Sequence, residues 1–184
     1  MILASASPRR KEILSRLSDN FRVVSPDFDE RSVDQALFSP SEYVKILSRN
    51  KALSVKAQYL EEIVIGADTV VVLDETIYGK PNDDNHAYKM LLSLSGKTHQ
   101  VLTGVTLCYK DNIRTDYEVS HVTFKVLTDK EIWDYIYTKE PNDKAGAYAI
   151  QGIGNNLVLS YEGDFDNIVG LPLALVKNLL AKIK

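Results

Sequence analysis

The sequence predicts an α/β fold, because segments typical of β-strands alternate with segments typical of helices. A short apolar run at residues 2–4 is followed by Ser7-Pro8, a pair that favours a helix start. Serine caps the free N–H groups there, and proline fits the first turn. Residues 63–73 form a nearly continuous apolar run, as expected for a central strand covered on both faces. Capping boxes at residues 39–42 and 128–131 predict two further helix starts.

The other elements follow from the same signals, taken in chain order. Residues 21–24 read as a short strand, followed by an acidic loop at 27–30. The helix that opens at residue 39 runs to about residue 57, and Asp74-Glu75 predicts a turn into a strand at 76–78. The remaining predicted segments are a helix from about residue 84 that Gly96 ends, an antiparallel hairpin of residues 99–110 and 113–126, a helix from residue 128 that ends before Pro141, a strand at 157–159, a polar loop at 163–167 and a final helix ending at Lys184.

Length and composition indicate one domain, in one or two lobes, over residues 1–184, with no segment that reads as a linker. The net charge of −3 argues against a broad nucleic-acid surface, and no apolar run is long enough to cross a membrane. Cys108 is the only cysteine, which excludes a disulfide framework and a thiolate metal cluster. Because the N-terminus does not have the pattern of a signal peptide, we expect a cytoplasmic protein.

The N-terminal strand–helix junction is a candidate anion site. Residues 5–10, Ser-Ala-Ser-Pro-Arg-Arg, bring two hydroxyls and two guanidinium groups to a helix N-terminus. Anions prefer that end of a helix, and the arginine fork matches pairs of phosphate oxygens. Two arginines in the first turn oppose the helix dipole, which favours carboxylates there. The pattern therefore favours a bound anion, with an ordinary capped helix and solvated arginines as the alternative.

Two charged residues fall inside apolar segments. Asp68 interrupts the central strand beside Gly66, which would allow a close approach of another backbone or a bulge. An ionised carboxylate in such a strand is costly unless it is paired. It is the strongest candidate for a catalytic base or metal ligand, with a structural aspartate paired to lysine or arginine as the alternative. Lys51 lies in the apolar arc of its helix, where it either snorkels to the edge or reaches an anion in a cleft. The polar face of that helix is predicted to be Glu42, Lys45, Arg49 and Lys56.

Three loops carry further candidates. The acidic loop at residues 27–30 suits a hard cation such as Mg²⁺, or is simply solvated. Lys80 stands on a corner between Gly79 and Pro81, which suits a phosphate contact or any surface turn. Gln151 follows a stretch of small residues that would let a flat ligand approach, and its amide can read a base edge.

Several enzyme classes are not supported. Residues 95–98 resemble the end of a P-loop, but Leu91 stands where that motif needs glycine, and a helix precedes the motif instead of following it. The glycines near Gln151 do not match a dinucleotide fingerprint. The histidines lack metal-ligand spacing and no serine lies in a nucleophile elbow, so a covalent nucleophile is unsupported.

The surviving candidates form one constellation. Several cations and a metal site suit a polyphosphate, Gln151 suits a base, and Asp68 suits the activation of water. That combination predicts hydrolysis of a nucleoside triphosphate. The cations are Arg9, Arg10, Lys51 and Lys80, and the carboxylates are Asp29, Glu30 and Asp68.

With these residues in place, the chain resembles the Maf-like nucleoside triphosphate pyrophosphatases. The dTTP/UTP branch is the most similar, because Arg9, Thr69 and Gln151 match the positions where it differs from the branch that acts on modified nucleotides such as 7-methyl-GTP. The matching pieces span nearly the whole chain in the family's order: residues 5–10, 51–52, 66–71, 79–81, 94–99, 143–148, 150–152 and 170–172.

The resemblance implies a fold and an activity. The fold is an elongated α/β fold like that of inosine triphosphatase, with a mixed, bent sheet and two lobes flanking a nucleotide cleft. The activity is cleavage between the α- and β-phosphates of dTTP, UTP or modified pyrimidine nucleotides, with a divalent metal, Mg²⁺ before Mn²⁺ or Co²⁺. A homodimer is an expectation from the family alone.

The resemblance also implies roles for single residues. Asp68 would accept the proton, and Glu30 would join it at the metal. Phosphates would be bound by Ser5, Arg10, Lys51 and Lys80, and the base would be selected by Arg9, Thr69 and Gln151. A non-enzymatic nucleotide sensor that regulates septum formation is the competing function. It would need the cations but not Asp68.

Overall fold

The computed structural model describes residues 1–183, within which six α-helices and seven strands are found. The predicted last helix is present, and its predicted end at Lys184 lies outside the described residues. None of the helices in residues 1–183 combines the length and apolar character needed to span a bilayer. In chain order the elements are β1 Ile2–Ala4, α1 Pro8–Ser15, β2 Arg22–Val24, α2 Pro40–Lys56, β3 Val64–Leu73, β4 Thr76–Tyr78, α3 Asp84–Leu94, β5 Thr98–Tyr109, β6 Asn112–Phe124, α4 Asp129–Tyr137, β7 Val158–Glu162, α5 Phe165–Val169 and α6 Leu173–Lys182.

All seven strands belong to one mixed sheet, with the order β2-β1-β3-β5-β6-β7 and with β4 paired to β3. β1 runs parallel to both β2 and β3, whereas β4 is antiparallel to β3 and β7 is antiparallel to β6. Only two residues connect the neighbouring strands β5 and β6, so they form the predicted hairpin. The predicted α/β class with a mixed sheet is therefore confirmed.

The chain divides into two compact units. The first comprises Met1–Thr69, Leu102–Glu118 and Asp164–Lys184, and the second comprises Val70–Val101 and Val119–Gly163. Buried apolar side chains fill the first unit between its strands and α2; they include Ile2, Ala4, Ala52, Val55, Val64 and Cys108. In the second unit α3 and α4 pack together, and the ring of Tyr88 stacks on that of Trp133 with centroids 5.1 Å apart.

Both predicted capping boxes are present, at the starts of α2 and α4. In each, the serine or threonine side chain accepts from a backbone N–H, and the carboxylate of the glutamate three residues later accepts from the backbone N–H of the cap residue. The predicted polar face of α2 is wrong at Lys56, which is only 7% exposed. Its ammonium group donates to the carbonyl of Leu60, just beyond the helix, where carbonyl groups lack helical partners.

The segment predicted as a polar loop at residues 163–167 is largely helical. Asp164 caps α5 by accepting from the N–H of Asp166 at 2.8 Å, and Asn167 is fully buried. A helix of five residues is too short to display a 3.6-residue apolar period. Sequence periodicity therefore had no signal with which to separate this element from a loop.

Two glycines bring α2 unusually close to the sheet within the first unit. A Cβ atom on Gly66 of β3 would lie 2.4 Å from the carbonyl oxygen of Ser48 and 2.7 Å from the nitrogen of Ala52. On the neighbouring strand β5, a Cβ on Gly104 would lie 2.3 Å from the carbonyl oxygen of Val44. Since no other residue lacks a Cβ, these two positions set how near the α2 backbone lies to β3 and β5. The close approach expected at Gly66 is therefore confirmed.

The Gly66→Ala substitution is expected to lower the free energy of unfolding by at least about 2 kcal/mol, because backbone atoms must move to admit the new methyl group. Gly79→Ala is the matched control, since a Cβ there meets nothing within 4 Å, and it should change stability by no more than about 0.5 kcal/mol. Urea unfolding of both variants measures the difference. Equal stabilities would contradict the close contact.

Candidate active site

The candidate residues of the first unit gather where β1 ends. β1 pairs with β3 up to Ala4, which lies opposite Gly66, whereas β3 continues to Leu73. Ser5 therefore follows the end of β1, and Asp68 and Thr69 extend past it. Ligands of open α/β sheets bind outside the carboxyl ends of parallel strands.

A buried cluster of one lysine and two carboxylates lies there. Lys51 and Asp68 are only 7% and 6% exposed, and the Lys51 ammonium donates to an Asp68 carboxylate oxygen. The same nitrogen lies 2.8 Å from Glu30 Oε1. The anions that Lys51 reaches in the folded chain are thus two carboxylates. Lys51 follows Ser48 by one helical turn and Asp68 follows Gly66 by two strand positions, so the close approach at Gly66 aligns the pair.

The electrostatics of this cluster set the ionisation of Asp68. Burial raises the pKa of the Asp68 carboxyl above its usual value, and the charges of Lys51 and Arg10 oppose that rise. Burial lowers the pKa of the Arg10 guanidinium, and the negative charge of Asp68 counteracts it. The pairing with Lys51 is what a structural aspartate would make, whereas a raised pKa is what a general base near neutral pH requires.

The structure separates the two adjacent acidic residues of the loop. Asp29 caps a short 3₁₀ helix, Glu30–Ser32, and its carboxylate accepts from the backbone N–H and the Nε of Arg31 at 3.1 and 3.0 Å. Glu30 instead contacts Lys51. Of the two, only Glu30 is therefore joined to Asp68 through a shared lysine.

Arg10 is the centre of a second cluster in the same unit. Its Nε donates to the carbonyl oxygen of Gly170 at 2.7 Å, and one terminal nitrogen donates to Thr69 Oγ1 at 3.0 Å. The other terminal nitrogen lies 3.4 Å from Ser5 Oγ, which also accepts from the N–H of Ser7 at 3.1 Å. Because the Ser5 oxygen already accepts two hydrogen bonds, what it can offer a ligand is its hydroxyl hydrogen.

Sequence reasoning missed two residues next to this arginine cluster, Thr103 and Asp166. Thr103 on β5 bonds both to Thr69 Oγ1 at 2.9 Å and to the carbonyl oxygen of Asn167 at 3.0 Å. Asp166 in α5 pairs with Arg16 of the segment after α1 at 2.5 Å. The usable signal was the motif at residues 170–172, which marks the segment but does not reveal α5.

Within residues 1–183, the side chains of three predicted site residues, Arg9, Lys80 and Gln151, form no hydrogen bond or ion pair with the protein. Arg9 is half-buried, and its side chain forms no ion pair or hydrogen bond with residues 1–183. Lys80 and Gln151 belong to the second unit, where Lys80 is exposed and Gln151 is half-buried. The corner that carries Lys80 is tied down, because the carbonyl of Gly79 accepts from the N–H of Gly146 at 3.0 Å.

The backbone on both sides of Gln151 is anchored. On one side Tyr148 Oη lies 2.7 Å from His99 Nε2, and the N–H of Ala149 donates to a tyrosine hydroxyl at 3.3 Å. On the other side the Glu140 carboxylate accepts from the N–H groups of Ile153 and Gly154 at 3.0 and 3.4 Å. Gln151 therefore extends from a short segment whose two ends are fixed.

The donor set fits a particular kind of metal site. Among residues 1–183, no group of three or more histidine, cysteine, aspartate or glutamate side chains could hold a metal ion. Glu30 and Asp68 supply two carboxylates that share one lysine. Mg²⁺ in nucleotide sites usually takes one or two carboxylates and completes its shell with phosphate oxygens and water. The pair therefore fits a cation that is held jointly with a phosphorylated ligand.

The Lys51→Met substitution should lower the free energy of unfolding by about 3–5 kcal/mol, because it leaves the buried Asp68 carboxylate without its ammonium partner. Adding Asp68→Asn should restore part of that loss. The control is Arg49→Met on the exposed face of α2, with an expected change of at most about 0.5 kcal/mol. Denaturant unfolding at pH 7 measures Lys51→Met, Asp68→Asn, the double variant and the Arg49→Met control. Additive effects of the Lys51 and Asp68 substitutions would contradict the pairing.

His99 is expected to make the second unit sensitive to acid. Burial lowers the pKa of His99 from 6.5 to about 4, so the folded state holds its proton less tightly than the unfolded state does. The resulting stability is complete above pH 6.5 and is lost as the pH falls towards 4, by about 3 kcal/mol. Unfolding of His99→Gln measured across this range should lack that slope. The exposed His121→Gln should retain it, and identical slopes in both variants would refute the assignment.

Comparison with known proteins places the chain. The family described as "Maf-like protein" matches residues 1–183. Three similar proteins, from Clostridioides difficile, Bacillus cytotoxicus and Acholeplasma laidlawii, are each named dTTP/UTP pyrophosphatase. Their identities are 47% over 184 residues, 49% over 179 and 46% over 186. These alignments cover 99%, 97% and 100% of this chain and 94%, 93% and 95% of the three proteins.

Among solved structures, the Ham1 protein of Staphylococcus aureus superposes with a TM-score of 0.51 at 15% identity, covering 85% of this chain and 78% of that one. This likeness concerns the fold alone, and it confirms the inosine-triphosphatase-like class that the sequence resemblance implied. The match to the family begins at Met1, before β1, and extends past the end of α6, and the relatives align over nearly their whole length. The chain therefore belongs to the Maf-like protein family.

Proposed function

We propose that this chain hydrolyses nucleoside triphosphates between the α- and β-phosphates, with dTTP and UTP as substrates, to give the monophosphate and pyrophosphate. One observation carries the proposal: a buried carboxylate of raised pKa, Asp68, lies beside two cationic side chains at the carboxyl end of β1. The names of the relatives, dTTP/UTP pyrophosphatase, support the same activity.

Asp68 acts as the general base. It takes a proton from a water molecule whose oxygen attacks the α-phosphorus, and the bond from that phosphorus to the bridging oxygen breaks. Pyrophosphate leaves with the bonding electrons. A carboxyl group whose pKa is raised towards neutral accepts this proton more readily than an ordinary one. Lys51 holds the carboxylate in place and limits that rise.

The phosphate groups are held by donors of different kinds. Ser5 offers its hydroxyl hydrogen, because its oxygen is already used by Ser7 and Arg10. Arg10 has five N–H donors, of which three point to protein acceptors, so two remain for phosphate oxygens. Lys51 and Lys80 add positive charge. Together these groups screen the charge that develops on the departing pyrophosphate.

Glu30 and Asp68 would hold the divalent metal, Mg²⁺ first and Mn²⁺ or Co²⁺ as substitutes. When bound, the metal neutralises phosphate charge and so improves pyrophosphate as a leaving group. Arg9, Thr69 and Gln151 select the base. The single domain over residues 1–184, the cytoplasmic location and the homodimer stay predictions.

A nucleotide-sensing regulator of septum formation is the competing function. A sensor needs the cations of the cluster but has no use for a carboxylate that costs free energy to bury. The position of Asp68, paired with Lys51 beside Arg10, therefore favours the enzyme.

Asp68→Asn is expected to reduce pyrophosphate release by about 100-fold or more, the usual contribution of a general base, while the fold is retained. The measurement is pyrophosphate release from a panel of nucleoside triphosphates with Mg²⁺, with thermal unfolding as the check on folding. Asp74→Asn, an exposed carboxylate in the turn that follows the same strand, is the matched control and should keep full activity.

Selective turnover of dTTP and UTP that is lost only in Asp68→Asn would support the mechanism. An active Asp68→Asn enzyme would remove Asp68 from the role of base. Binding of nucleotides without any cleavage by the wild-type chain would favour the sensor.

A further inference from the structure

We propose that Thr103 is a positioning residue that fixes the direction of the Thr69 hydroxyl, so that Thr69 meets the nucleotide base only as a hydrogen-bond acceptor. Bases with an N–H donor at the 3-position, uracil and thymine, would then be preferred to cytosine. The inference rests on the proposed function, since it takes Thr69 to contact the base. It concerns a residue, Thr103, for which neither motif nor spacing indicated a role.

The direction of the hydrogen bonds follows from counting hydrogens. A threonine hydroxyl has one hydrogen to donate. Thr103 Oγ1 lies 3.0 Å from the carbonyl oxygen of Asn167, which can only accept, so the Thr103 hydrogen is committed there. The 2.9 Å contact between the two hydroxyl oxygens must then be donated by Thr69. Thr103 is fully buried, which removes solvent water as another partner.

The other side of Thr69 is fixed by a cation. Arg10 donates from a terminal nitrogen to Thr69 Oγ1 at 3.0 Å, and a guanidinium group cannot accept a hydrogen bond. The hydroxyl of Thr69 thus receives from Arg10 and gives to Thr103, in one directed chain that ends at the carbonyl of Asn167. Of its hydrogen-bonding capacity, one lone pair is left. Thr69 is half-buried, so that lone pair is within reach of a ligand.

The chemistry of the pyrimidines turns this polarity into a preference. Uracil and thymine carry an N–H at position 3, which can donate to the free lone pair of Thr69. Cytosine has an unprotonated nitrogen at that position, so two acceptors would face each other. A site whose polar groups are left unpaired by the wrong ligand discriminates strongly, because each desolvated group loses its hydrogen bond.

The test compares Thr103→Val with Thr106→Val. Thr106 lies three residues further along β5, is equally buried, and bonds through its hydroxyl to Ser48 and Thr115 at 2.9 Å. The hydrogen bonds of Thr106 do not involve Arg10 or Thr69, so Thr106→Val controls for the loss of a buried hydroxyl in this strand. In Thr103→Val the Thr69 hydrogen is released and the hydroxyl can donate to cytosine.

We expect the ratio of kcat/KM for UTP to kcat/KM for CTP to fall by about fivefold or more in Thr103→Val, the worth of one hydrogen bond. The ratio should stay unchanged in Thr106→Val and in Thr103→Ser, which restores the hydroxyl. A second comparison uses Thr69→Val. If Thr103 acts through Thr69, adding Thr103→Val to Thr69→Val should not change the UTP-to-CTP ratio further. A merely structural role of Thr103 predicts that Thr103→Val changes the ratio by the same factor whether or not Thr69 is replaced.

Each other outcome has a defined meaning. A folded Thr103→Val with the wild-type ratio overturns the inference, as does equal turnover of UTP and CTP by the wild type. If Thr103→Val does not fold, Thr103→Cys replaces it, since sulfur is a weak donor of similar size. If the wild type cleaves neither nucleotide, the proposed function fails. In that case calorimetry on the same variants tests the inference through binding. A preference for UTP over CTP in the Kd values that falls in Thr103→Val supports it, and an unchanged preference overturns it.

Discussion

The buried ion pair between Lys51 and Asp68 depends on how closely α2 lies against the sheet. A lysine side chain on α2 reaches Asp68 because Gly66 and Gly104 let the α2 backbone contact β3 and β5 directly. With a Cβ at either position the helix would have to move outwards and the ammonium would separate from the carboxylate. The rest of the cluster follows from this contact, since Glu30 is held by the same ammonium.

Such a pair is a poor way to stabilise a fold. Removing two charges from water costs several kcal/mol per ion, and apolar replacements of similar volume are often as stable or more so. The result of this cost is that the Asp68 carboxyl group, at the carboxyl end of β1, is shielded from water, paired with Lys51 and raised in pKa. That state suits proton transfer and metal binding better than it suits packing, which is why the pair is more informative about function than about stability.

Sequence alone predicted the parts of the site that violate a local rule. Asp68 in an apolar strand, Lys51 in an apolar helix face and Gly66 beside Asp68 were each identified because they contradict the pattern around them. The assignment of Lys56 to the polar face was wrong, because helical periodicity carries no information about the carbonyl groups beyond the end of α2 that bind its ammonium group. Thr103 could not be found, because a threonine in a strand obeys every rule of β propensity and its role depends on the non-local Asn167 carbonyl.

The non-local bonds also explain why Arg10 has two opposite effects on its neighbours. It donates to both Ser5 and Thr69, yet Ser5 is left with a hydrogen to give and Thr69 with a lone pair. The difference comes from the next partner: Ser5 receives a second bond from the N–H of Ser7, whereas Thr69 gives its hydrogen to Thr103. One guanidinium group thereby orients a donor suited to phosphate and an acceptor suited to a base N–H. In the proposed function, this difference in hydrogen-bond direction would allow Ser5 and Thr69 to recognise opposite ends of a nucleotide, a property that the charges in the sequence do not reveal.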